Sequence, residues 1–69
     1  MPSSVISGIR YDAERERLVV NFVTGRVYEY VDVPPDVARA FRSAFSKDTF
    51  FNTYIRDRYD HRELTREHS

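Results

Sequence analysis

Sixty-nine residues suffice for one domain, close to the lower size limit for a self-sufficient hydrophobic core. With no cysteine, disulfides, thiolate metal ligands and a thiol nucleophile are excluded, so packing of aliphatic side chains and of five Tyr and five Phe must carry stability, helped by any oligomerisation. Eleven basic residues balance eleven acidic ones, which excludes a generally basic surface and leaves only local patches for an anionic partner.

Residues 1–4 lack the basic and apolar segments of a signal peptide, and no run is long enough to span a membrane, so a cytoplasmic location is expected. Residues 5–12 read as a first strand. Ser7, Ile9 and Tyr11 share one face and Ile6, Gly8 and Arg10 the other. A bulge at Gly8 would let Ile6 and Ile9 both point inward. Residues 12–16 form a charged connector.

Residues 18–31 carry the strongest signal. Leu18, Val20 and Phe22 alternate with Val19 and Asn21, and Val27 to Val31 form a second β-rich run. Parity decides the turn between them. A two-residue loop at Thr24-Gly25 would set Tyr28 and Tyr30 opposite the face of Leu18, Val20 and Phe22. A three-residue loop, Val23-Thr24-Gly25, pairs Phe22 with Arg26, Val20 with Tyr28 and Leu18 with Tyr30. It gathers five large side chains on one face, so the three-residue loop with a left-handed Gly25 is expected. Val19, Asn21, Val27, Glu29 and Val31 are left on the other face, as ordinary surface residues or as a contact for a partner.

Pro34 and Pro35 end the sheet and begin a helix, with Asp36 in its first turn to complement the dipole. Val37, Ala40, Phe41 and Ala44 fall on one side at helical spacing, with Phe45 at the margin; Arg39, Arg42 and Ser43 fall opposite. Ser46 closes this helix and caps a second one, whose apolar stripe is Phe50, Phe51, Tyr54 and Ile55. This helix should end near Arg56, because Arg58 would otherwise enter the stripe or have to snorkel. Tyr59 is expected to pack back on the core. Residues 61–69 are polar apart from Leu64 and read as a frayed tail behind a single domain of residues 1–60. The expected fold is α+β: a three-stranded antiparallel meander followed by two short α-helices packed on one face.

These residues resemble the KTSC domain family, a short bacterial and phage module named from the C-terminus of some lysyl-tRNA synthetases and also found free-standing. The resemblance rests on Ile9 with Tyr11-Asp12, Leu18, Val20 and Phe22, then Gly25, Tyr28-Glu29-Tyr30, Val33-Pro34 and Ser46-Lys47. It continues through Phe51-Asn52, Ile55-Arg56 and Tyr59, so residues 4 to 59 are covered. One departure is Asp48, where the pattern often has Gly; a positive φ there would suit Asp less well. The resemblance implies a domain without an established activity, regarded as an RNA binder by association with the synthetase.

Catalysis finds little support in the residues themselves. His61 and His68 fall in the expected tail, outside any fixed geometry, and no recognised ligand spacing suggests a metal. No cofactor is expected. RNA, including tRNA, has two candidate sites. Tyr28 and Tyr30 would stack bases if exposed, although parity places them among core residues. Within the helical half, residues 39–58 carry Arg39, Arg42, Lys47, Arg56 and Arg58 against Asp48 and Asp57. Lys47 and Arg56 would contact phosphate, with Asn52 on a base or sugar. The competing reading makes these solvated helix faces, with Ser46 and Asn52 tying the helix junction. Ten of the eleven basic residues are Arg, which a GC-rich genome explains as readily as phosphate recognition does. The other function class is protein interaction or homodimerisation through the sheet.

Overall fold

The computed structural model describes residues 5–64. Strands β1 (Ile6–Asp12), β2 (Arg17–Phe22), β3 (Val27–Tyr30) and β4 (His61–Glu63) form one antiparallel sheet in the order β1-β2-β3-β4. Helix α1 (Pro35–Ser43), helix α2 (Lys47–Phe50) and a π-helical segment (Phe51–Ile55) lie between β3 and β4 in the chain.

The central hairpin has the register that parity requires. Leu18 pairs with Tyr30 and Val20 with Tyr28. Phe22 N–H donates to the Arg26 carbonyl at 2.9 Å, and Gly25 stands at φ 96°. At the sheet margin the β1–β2 register shifts between Ile6 and Gly8. That bulge buries Ile6 and keeps Ile9 packed against the core.

The core lies between the sheet and the helical half. Leu18, Val20 and Tyr30 meet Val33, Phe41, Phe51 and Ile55, all nearly or fully buried. Tyr11 spans the layers: its hydroxyl donates to the Val33 carbonyl at 2.6 Å.

The sheet has four strands rather than three. His61–Glu63, expected as tail, adds to the β3 edge, with Tyr30 opposite His61 and Tyr28 opposite Glu63. Backbone bonds extend the pairing at both ends, from Val31 N–H to the Asp60 carbonyl and from Leu64 N–H to the Val27 carbonyl. The tail expectation for residues 65–69 lies outside the described residues.

Two helical details also differ from the periodic reading. In α1 the buried residues are Ala38 and Phe41, while Ala40 is exposed. The helix stops at Ser43 and Ala44 is already extended at the cap, so the stripe through Ala44 and Phe45 never forms. Phe45 is fully exposed in the turn. The second helix passes from α into π geometry, closed by Arg56 N–H donating to the Phe51 carbonyl five residues back at 2.8 Å. A wider turn keeps Phe51 and Ile55 inward but rotates Tyr54 outward, where its ring rests on Phe50 at 4.7 Å between centroids.

Ser46 caps α2 as expected, accepting a hydrogen bond from Thr49 N–H at 3.2 Å. Positive φ among the described non-glycine residues occurs at Glu16 and Asp32. Asp48 instead sits in the first turn of α2, and its carboxylate accepts the Val5 N–H at 3.2 and 3.3 Å. The residue that departs from the family pattern therefore ties the chain entrance to α2 without backbone strain.

Candidate functional site

One cleft, about 470 Å³, opens where the core-side face of β3 and β4 meets the π-helical segment. Strand alternation sets its floor: Phe22 lies on the β2 face of Leu18 and Val20, whose cross-strand partners are Tyr30 and Tyr28, so the three rings point the same way. Their rings interlock. Phe22 meets Tyr28 edge-on at 5.5 Å and Phe51 at 5.6 Å, and Tyr30 meets Phe51 at 5.6 Å.

His61 forms a second aromatic layer. As the cross-strand partner of Tyr30 it stacks on that ring at 5.0 Å and 26°, and it approaches Tyr28 at 5.6 Å. Beneath it Tyr30 is only 2% exposed. Its hydroxyl pKa is pushed up to about 12, first by burial, then by Tyr28 and Asp57 against the opposing charge of Arg56.

The polar wall comes from the helical side. Asn52 lies in the π segment and Arg56 caps it. Both are exposed, and the Arg56 guanidinium reaches the Asn52 side-chain oxygen at 3.5 Å. Asp48 and Asp57 stand beside them. The charged lining is thus one cation against two carboxylates. Aromatic faces, a planar guanidinium and an amide suit a flat, hydrogen-bonding ligand better than a polyanion. Among the described residues, no cluster of three or more His, Cys, Asp or Glu gathers to hold a metal. No helix among them is long and apolar enough to cross a membrane.

The KTSC domain model matches residues 2–59. The chain belongs to the KTSC domain family. It is similar to a KTSC domain protein of known crystal structure from Yersinia pestis, with a TM-score of 0.85 and 33% identity over 94% of this chain and 92% of that one. It is 36% identical over 62 residues to a lysine–tRNA ligase from Nostoc punctiforme; this covers 90% of the chain and 11% of the ligase's length. An uncharacterized protein from Stutzerimonas stutzeri is 34% identical over 59 residues, 83% of its own length. The KTSC domain is thus matched both inside a much longer enzyme and in a small protein.

In this KTSC domain, Tyr28, Tyr30, Asn52 and Arg56, singled out in the sequence, meet at the cleft. Lys47, Arg39, Arg42 and Arg58 do not. Lys47 turns its ammonium onto the Ala44 carbonyl at 2.9 Å, closing the α1–α2 turn. Arg39 and Arg42 are exposed on α1, and Arg58 borders a separate groove with Asp36, Phe50 and Tyr54. Sequence reasoning missed His61, because a short polar segment carries no strand periodicity. The outer face of the sheet is also more charged than its valines suggest: Glu29 is held by Arg17 at 3.4 Å and Arg62 at 3.1 Å between half-buried Val19 and Val27.

Proposed function

We propose that this KTSC domain is a non-catalytic module that takes one unpaired base of an RNA into the β3–β4 cleft. The observation that carries the reading is the convergence of Tyr28, His61, Asn52 and Arg56 from three separate chain segments. The base stacks against the exposed edge of the Tyr28–His61 layer. Asn52 offers both a donor and an acceptor to a base edge, and Arg56 covers the open side or meets the adjoining phosphate. Base–aromatic stacking contributes on the order of 1–3 kcal/mol, so a single nucleotide binds weakly and selectivity for unpaired RNA comes from the cleft's shape. The cytoplasm is the proposed place of action. Similarity to a segment of a tRNA ligase supports an RNA partner.

Charge sharpens the test. Of the five basic residues of the helical half, Arg56 alone lines the cleft. One phosphate contact gives a log–log salt slope of about −0.7 for single strands, a two- to threefold loss from about 50 to 200 mM salt, whereas five contacts would lose roughly two decades. The experiment is an NMR-monitored titration of the isotope-labelled protein with an RNA trinucleotide at both salt concentrations. The reading expects saturable shifts at Asn52, Arg56 and His61, this shallow salt response, and at least about tenfold weaker binding in an Asn52→Ala, Arg56→Ala double variant. Shifts absent at low salt, or unchanged in the double variant, would refute it.

A further inference from the structure

The cleft is poor in positive charge, yet the opposite face of the sheet is not. Arg10 on β1, Arg15 in the β1–β2 turn and Arg17 at the start of β2 surround a shallow depression of about 270 Å³. Local geometry brings them together. Arg10 pairs with Val19 on the face away from the core, and Arg17 pairs with Asp12 at the strand mouth. The Asp12 carboxylate accepts the backbone N–H groups of Glu14 and Arg15, at 3.1 and 3.3 Å, and so folds the turn back beside the strands.

The carboxylates that border the depression are already engaged. One oxygen of Asp12 takes the two turn amides, and Glu29 is shared by Arg17 and Arg62. Among the described residues, neither Arg10 nor Arg15 makes an ion pair. Glu14 and Glu16 of the same turn do not line the depression. Among the lining residues three arginines face two carboxylates, an excess of one positive charge. The cleft, with Arg56 against Asp48 and Asp57, has an excess of one negative charge.

We infer that the Arg10–Arg15–Arg17 depression holds the phosphodiester backbone of the RNA whose base enters the cleft. This rests on the base-binding reading above. The guanidinium fork matches two phosphate oxygens at once, and three such forks on one rigid sheet margin offer successive anchoring points. Base recognition and backbone attraction are then divided between the two faces of the domain. A trinucleotide fills the cleft alone; a longer strand passes round the sheet edge and reaches both.

The test compares a single strand of about 20 nucleotides with the trinucleotide, in wild type and in an Arg10→Gln, Arg15→Gln variant. If Arg56 and the three depression arginines each meet a phosphate, the slope is about −2.8, and long-strand affinity falls roughly 50-fold from about 50 to 200 mM salt. Removing two contacts should cut that fall to about sevenfold while leaving trinucleotide binding unchanged. An Arg39→Gln, Arg42→Gln variant makes the same change in net charge on α1 and should keep the full slope. An unchanged slope in the Arg10, Arg15 variant, or equal flattening in the α1 variant, overturns the inference while leaving the cleft reading intact. Trinucleotide binding absent but long-strand slope flattened by Arg10→Gln, Arg15→Gln overturns the cleft reading and supports the backbone surface. No long-strand binding overturns both.

Discussion

Replacing His61 with Ala tests both the fourth strand and the cleft it completes. The substitution removes a ring stacked on Tyr30 at 5.0 Å and tilted against Tyr28 at 5.6 Å. Aromatic pairs contribute about 0.5–1.5 kcal/mol each beyond area burial, and His61 is exposed on its outer side, so about 1 kcal/mol in total is expected. For a domain of this size that lowers Tm by about 4–8 °C. A second readout is local. His61 helps cover Tyr30, so its loss should bring the Tyr30 hydroxyl down from about 12 toward the ordinary tyrosine value, visible as an earlier tyrosinate absorbance step. His61→Phe keeps a ring at the same strand position and should restore most of the Tm. Equal Tm and an unmoved Tyr30 step in His61→Ala would refute the placement of β4 over β3.

Two further outcomes follow from the same geometry. Gly25→Ala meets no atom within 4 Å of the new Cβ, so its cost is backbone strain alone at φ 96°; a loss of about 1–2 kcal/mol by urea denaturation is expected, and no loss would contradict the left-handed turn. Tyr30 keeps its proton longer in the folded state than in the unfolded chain, so its contribution is complete below pH ~10 and is lost as pH rises toward about 12. Allowing for solvent screening, that loss is on the order of 1–2 kcal/mol. Urea midpoints measured below and above this window should fall more for wild type than for Tyr30→Phe, and equal falls would contradict the shift.

The parts of the fold that parity governs were readable in the residues. A strand has period two, so the choice between loops at Thr24-Gly25 and Val23-Thr24-Gly25 decides every side chain's face, and only one choice gathers Leu18, Val20, Phe22, Tyr28 and Tyr30. Ser46 announced its cap and Gly8 its bulge for equally local reasons. β4 was not readable, because it is fixed by backbone bonds to β3 and all three of its residues are exposed. Nor were the details of α1: an extended Ala44 ends the helix at Ser43, and burial falls on Ala38 and Phe41 rather than on Ala40. The site shows the same division. Tyr28, Tyr30, Asn52 and Arg56 stood out in the sequence, but their meeting with His61 depends on a tertiary pairing, and the distribution of arginines over the two faces depends on register.

The most direct test of the base-binding account is a search for intermolecular proton–proton NOEs in the RNA trinucleotide complex. Contacts are expected from one base to the rings of His61 and Tyr28 and to the Asn52 side-chain amide, and none to Val19 or Val27 on the outer face. A saturated complex whose base contacts fall on the outer face, or on no ring of the cleft, would contradict it.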